Sequence, residues 1–139
     1  MRGKTCVITG GTSGIGEATA VALADLGADL ALICRSEERG RATKERIEAR
    51  VGRDCVRLFG ADFERLDDVR RVSSEITTAL DRIDVLLNNA GVTMLGRSET
   101  PDGLETTFAV NHLAPFLLTH RLLPRLLETP GARIVNVAS

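Results

Sequence analysis

A parallel β-sheet with helices on both faces is the fold class that this 139-residue sequence predicts, and three observations predict it. Short apolar runs alternate at a regular pace with longer, more polar helical patterns. A glycine turn, Thr9-Gly10-Gly11-Thr12-Ser13-Gly14-Ile15-Gly16, follows the first apolar run and opens the first helical pattern. Helices of this length between strands are right-handed crossovers, which make the strands parallel.

Thr5–Thr9 reads as the first strand, Gly14–Leu26 as a helix, and Asp29–Cys34 as the second strand. Ser36 then caps a charged helix running to about Arg50, with Glu37 and Glu38 in its first turn. Cys55–Gly60 is a strand, Leu66–Leu80 a helix and Ile83–Leu87 a strand. A long helix is expected from about Pro101 to Glu128, and Arg133–Val137 is a last strand. The expected result is an α/β, Rossmann-type doubly wound sheet in three α/β/α layers, with strand order 3-2-1-4-5. Its ligand crevice should lie at the carboxyl ends on either side of the first strand. Residues 1–139 read as one dinucleotide-binding domain without repeats or long linkers, and the C-terminal strands of a complete sheet are expected to be missing.

Composition narrows the partners. Hydrophobic residues make up 43% of the chain and the net charge is −1, so no basic excess exists to neutralise nucleic-acid phosphates or an anionic membrane. No run approaches the ~20 apolar residues that span a bilayer, because Asp25, Gly27 and Asp29 interrupt the stretch Ala18–Ile33. The first strand begins by Thr5, so no signal peptide is expected before it, and the expected location is cytoplasmic. Cys6, Cys34 and Cys55 lie in three different predicted strands with no Cys-x-x-Cys pair, which reads as buried reduced thiols and no metal site.

The glycine turn carries the first chemistry. Gly10 permits a sharp turn, Gly14 lets a pyrophosphate approach the backbone, and Gly16 lets the helix pack close to the sheet. The helix N-terminus then offers free N–H groups and a favourable dipole. A nucleoside-triphosphate P-loop needs Lys-Ser/Thr after its last glycine, whereas Glu17-Ala18 follows here; a tight structural loop is the plainer alternative. At the end of the second strand, where an NAD site carries a carboxylate for the ribose hydroxyl, the chain has Cys34-Arg35-Ser36. Arg35, Ser36 and Arg39, one turn on, form an anion site suited to the 2′-phosphate of NADP(H). Surface pairing of the two arginines with Glu37 or Glu38 is the competing reading. Asp62 ends the third strand, where it can accept from an adenine amino group or cap the next helix. Asn88-Asn89-Ala90-Gly91 ends the fourth, where Asn89, Ala90 and Gly91 suit close approach of a ribose or a self-satisfied turn.

In the long helix, Leu104, Phe108, Asn111, Pro115, Leu118 and Leu122 recur as one apolar stripe. Asn111 inside it is expected to be buried and partnered. Pro115 withdraws the helical donor of the Asn111 carbonyl, so the helix should bend there and offer a place to hold water, or simply tolerate a core asparagine. A second row, Leu113, Leu117, Leu123 and Leu127, is expected to meet a partner subunit, giving a homo-oligomer. His112 and His120 read as surface or interface residues.

Thr-Gly-xxx-Gly-Ile-Gly, Asn-Asn-Ala-Gly, Val110-Asn111-His112-Leu113 and Asn136-Val137-Ala138-Ser139, in that order, resemble the short-chain dehydrogenase/reductase family. Cys34-Arg35-Ser36 and residues 110–119 most resemble its retinol-dehydrogenase-like, NADP-preferring branch. The resemblance implies that Gly10, Thr12, Ser13, Gly14, Ile15 and Gly16 line the cofactor, with Arg35, Ser36 and Arg39 about the 2′-phosphate. It implies that Asp62 meets adenine, that Asn89 to Gly91 lie along the ribose, and that Asn111 and Ser139 are the catalytic residues present. Asn111 would hold a relay water and Ser139 would hydrogen-bond a small carbonyl or alcohol substrate. The reaction implied is hydride transfer between NADP(H) and that substrate. Family members continue into a Tyr-xxx-Lys pair, and the chain has no tyrosine. A serine hydrolase built on Ser139 lacks a Gly-x-Ser-x-Gly elbow. A noncatalytic dinucleotide-binding module and a truncated product stay open beside the enzyme reading.

Overall fold

In the computed structural model, which describes residues 1–138, the chain runs β1 (Thr5–Thr9), α1 (Gly14–Asp25), β2 (Asp29–Cys34), α2 (Glu37–Val51), β3 (Val56–Gly60), α3 (Leu66–Ala79) and β4 (Val85–Asn88). It continues through a short helix α4 (Thr106–Phe108), a π-helical turn (Ala109–Leu113), α5 (Ala114–Leu127) and β5 (Arg133–Asn136). All neighbouring strands pair in parallel, in the order β3-β2-β1-β4-β5. β1 is central: Val7 stands opposite Ala31 of β2 on one side and Leu86 of β4 on the other.

Alternation along β1 splits the core into two layers, because successive side chains of a strand leave opposite faces. Val7 joins Ala31, Ile33 and Leu86 beneath α3 and α5, where Val69, Val72 and Ile76 meet Ala114, Leu118, Leu122 and Leu126. Cys6 and Ile8 join Leu30, Leu32 and Val56 beneath Ala20, Ala24 and Ile47 of α1 and α2. The three cysteines are buried and free; burial pushes the Cys6 thiol up to about 11, with the Asp84 charge adding to the rise.

The helix expected from Pro101 starts five residues later. Pro101-Asp102-Gly103 forms a turn with Gly103 at φ +74°, closed by Thr100 N–H to the Leu104 carbonyl at 2.8 Å and Gly103 N–H to the Thr100 carbonyl at 2.9 Å. A positive φ cannot continue a right-handed helix. Glu105 caps the true start, accepting from the N–H groups of Thr107 and Phe108.

The expected bend beside Pro115 takes the form of the π turn, in which Ala114 N–H reaches back to Ala109. This extra residue per turn shifts the face that follows. The stripe that packs inward is therefore Val110, Ala114, Leu118, Leu122 and Leu126 at steps of four. Phe108 and Asn111, expected inside, are exposed.

Candidate cofactor site

The glycine turn joins β1 to α1 by way of two positive-φ glycines, Gly10 at +66° and Gly14 at +50°. A Cβ on Gly10 would lie 2.9 Å from the Ala90 Cα, so only hydrogen fits between the turn and the end of β4. A Cβ on Gly16 would collide with the Gly10 carbonyl and the Asn89 side-chain amide. Around Gly14, by contrast, nothing lies within 4 Å. Its open side and the exposed Ser13 and Ile15 surround the first turn of α1. Ser13 makes no side-chain cap there, which leaves the first N–H groups of α1 for an anion.

Asn89 holds this turn from below. Its Nδ2 donates to the carbonyls of Thr9 at 3.1 Å and Gly10 at 3.2 Å, while the Thr9 hydroxyl accepts from the N–H groups of Asn89 and Ala90, both at 2.9 Å. Asn88 is spent on the sheet: its Nδ2 donates to the Thr119 hydroxyl at 3.0 Å and to Asn136 Oδ1 at 2.8 Å. Its buried Oδ1 has no hydrogen-bond partner among the described residues.

Beside the turn, at the carboxyl ends of β1, β2, β3 and β4, lies a cleft of about 220 Å³. Of the residues singled out from the sequence, Gly10, Thr12, Arg35, Ser36, Arg39, Asp62, Ala90 and Gly91 line it. Ser36 caps α2 as expected, its hydroxyl accepting from Arg39 N–H at 3.3 Å. This cap sets Arg35 just before the helix and Arg39 in its first turn. Asp62 does not cap α3. Its Oδ1 accepts from Glu64 N–H at 3.0 Å in a local turn, and Asp68 in turn receives the Asp62 N–H at 2.9 Å. That backbone bond, with help from Arg71, holds the Asp68 carboxyl below its usual value.

Neither arginine pairs with Glu37 or Glu38. Glu37 is engaged by Arg41, Arg35 lies 3.6 Å from Glu64, and Arg39 makes no ion pair among the described residues. Glu64, Phe63 and Val92 are lining residues that were not singled out from the sequence, and Val110 of the Val-Asn-His-Leu motif lines the cleft with them. Strand order held the signal for Glu64: β3 lies next to β2, so the residues just beyond β3 face those just beyond β2.

Asn111 lies on the π turn and reaches the segment after β4, where it bonds both backbone groups of Val92. It also covers Gly91, on which a Cβ would sit 3.4 Å from Asn111 Oδ1. Ser139 lies outside the described residues. Among the described residues no group of His, Cys, Asp and Glu could hold a metal ion, and no helix is long and apolar enough to cross a membrane. His112 and His120 are exposed and stack on Phe108 and Phe116, with ring centroids 5.1 Å and 6.4 Å apart.

A doubly wound sheet with a glycine turn and a polar cleft at the strand-order reversal defines a dinucleotide-binding class of protein. Comparison with known proteins narrows the class. The short chain dehydrogenase family model matches residues 4–139, and the chain belongs to that family. It is 42% identical over 139 residues to Dehydrogenase/reductase SDR family member 13 of Bos taurus, and 41% identical over 139 residues to Retinol dehydrogenase 11 of Homo sapiens. All of the chain is covered in both, but only 36% and 44% of the relatives, so the chain spans less than half their length. A metagenomic short-chain oxidoreductase, solved in complex with NADP, superposes with a TM-score of 0.87 at 32% identity, over 100% of this chain and 63% of that one.

Proposed function

We propose that this chain forms the cofactor-binding half of an NADP(H)-dependent oxidoreductase that acts on a small carbonyl or secondary-alcohol substrate. The observation that carries the cofactor preference is the convergence of Arg35, Ser36 and Arg39 on one rim of the cleft. The residues present fit the group. The space beside Gly14 accommodates a backbone-hugging pyrophosphate, and the first N–H groups of α1 bind it. Arg35 and Arg39 bind the 2′-phosphate, and Asp62, with Oδ2 uncommitted, accepts from the adenine amino group. Ala90 and Gly91 leave room for a ribose, while Asn89 keeps the turn in shape rather than reaching the sugar. When bound, the nicotinamide supplies hydride exchange with the substrate carbon. Asn111 positions a water near the reacting end, and Ser139 hydrogen-bonds the substrate oxygen. The buried free thiols support a reducing, cytoplasmic setting.

The cofactor claim is tested by calorimetric titration with NADPH and NADH. NADPH should bind more tightly, and Arg35→Ala should weaken it by about 1.5–3 kcal/mol, as for a lost charge-assisted contact, with NADH little affected. Equal affinities for the two dinucleotides would rule the preference out.

A further inference from the structure

We propose that Glu64 is a specificity-determining residue that competes with the cofactor's 2′-phosphate for Arg35 and so limits how strongly the site prefers NADP(H). The inference rests on the 2′-phosphate reading given above.

Glu64 and Arg35 come from the ends of neighbouring strands and line the same cleft. Their charged atoms are 3.6 Å apart, with side chains 34% and 69% exposed. That separation is an ion pair without a close hydrogen bond, and exposed pairs of this kind are held weakly. Arg35 is therefore free to change partner. Glu64 has its backbone anchored beside the cleft, its N–H donating to Asp62 Oδ1 at 3.0 Å, and its side chain is the less exposed of the two.

The two ligand states follow from charge. With a dinucleotide that lacks the 2′-phosphate, Glu64 compensates the charge of Arg35. With the phosphate bound by Arg35, a dianion lies close to the Glu64 carboxylate, and the like charges repel. Arg39, which makes no ion pair among the described residues, is the cation that brings no rival with it. The rim thus contains both the feature that selects a 2′-phosphate and one that opposes it. Selectivity is narrower than two arginines would give alone.

The test compares NADPH and NADH, which differ only in the 2′-phosphate, on the wild-type chain and on Glu64→Gln by calorimetry at low and high salt. One unit charge removed from within ~6 Å of a dianion in a largely aqueous rim should tighten NADPH about tenfold. High salt should shrink the gain, and NADH should stay within about twofold because it brings no phosphate to this rim, its pyrophosphate being held at the first turn of α1. Glu64→Asp, which keeps the charge, should stay near wild type. NADPH affinity unchanged by Glu64→Gln, in a protein that prefers NADPH, overturns the inference alone. An equal gain for both dinucleotides also overturns it, since that is not a charge effect on the phosphate. If wild type binds both dinucleotides equally and Glu64→Gln still does, the 2′-phosphate reading and the inference fall together.

Discussion

Asn111 and the backbone of Val92 close a two-bond ring, with Nδ2 donating to the Val92 carbonyl and Oδ1 accepting from the Val92 N–H, each at 2.8 Å. The ring latches the π turn onto the segment that leaves β4, beside the cleft. Asn111→Ala removes both bonds and should cost about 1–2 kcal/mol, as for two net neutral hydrogen bonds. Amide exchange at Val92 should speed up while exchange in β1 is unchanged. Asn111→Asp keeps the acceptor and should retain Val92 protection. Unaltered Val92 exchange in Asn111→Ala would show that the latch does not hold the segment.

Gly16 and Gly14 should respond differently to the same substitution. A methyl on Gly16 meets the Gly10 carbonyl and the Asn89 amide, both backed by the sheet. Gly16→Ala should therefore cost about 1–3 kcal/mol through overpacking and weaken dinucleotide binding as well. Gly14 has open space around it and φ +50°, so Gly14→Ala should cost about 1–2 kcal/mol of left-handed strain and mainly obstruct the approaching ligand. Thermal melts and NADPH titrations on both variants check the contrast, and NADPH binding left unchanged by Gly14→Ala would contradict it.

Asp84 ties the amino ends of β1 and β4 together. It accepts from Thr5 N–H at 2.9 Å, from Lys4 Nζ at 3.0 Å and from Arg82. Burial alone would raise its pKa, but Arg82, the Thr5 N–H and Lys4 together outweigh burial and lower it to about 2. A folded-state pKa below the unfolded one means stability that is fully present above the unfolded value of 3.8 and lost as pH falls toward 2. Urea melts between pH 5 and 2 should show a loss of about 2 kcal/mol from this group. Asp84→Asn should lower stability at neutral pH and flatten that part of the profile. The same pH slope in wild type and variant would assign the acid sensitivity elsewhere.

The 139 residues should not reduce a carbonyl at an ordinary dehydrogenase rate. They contain no tyrosine, and a positioned general acid typically contributes about 10²–10⁴ in rate. Carbonyl-dependent NADPH oxidation is the assay, on protein of verified mass. Turnover at tens per second would mean that another group donates the proton.

The sheet was legible because its signals are local: each strand is an apolar run, and the glycine turn follows one. Gly10, Arg35, Ser36, Arg39 and Asp62 could be placed together from the strand order alone, since all follow carboxyl ends. The π turn was not legible. Pro115 announced a lost helical bond, but the extra residue shows only in the fold, where Ala109 and Ala114 are both buried and joined by the π-turn bond. That one-residue change decides that Ala114 goes inside and Asn111 outside. Nor did Glu105 announce itself as a cap, because Pro101 looked like a first helical residue until Gly103 adopted a positive φ.

Self-association is the last expectation, and it rests on surfaces that the fold leaves open. Ile134 and Val135 of β5, an edge of the sheet, are 41% and 44% exposed, and Val137 just beyond it is 45% exposed. On α5, Phe116 and Leu127 are 66% and 77% exposed. The second row expected to meet a partner is thus partly free: Leu123 and Leu127 face outward, while Leu117 packs against the core. An unpaired apolar edge invites pairing, and an exposed apolar patch favours association. The 139-residue chain should therefore sediment as dimers or larger species, and Phe116→Glu with Leu127→Glu should reduce this if the helix face dominates. If Val135→Lys is the change that releases monomers, the sheet edge is the contact instead. A wild-type chain that stays monomeric at high micromolar concentration would show that neither surface drives assembly.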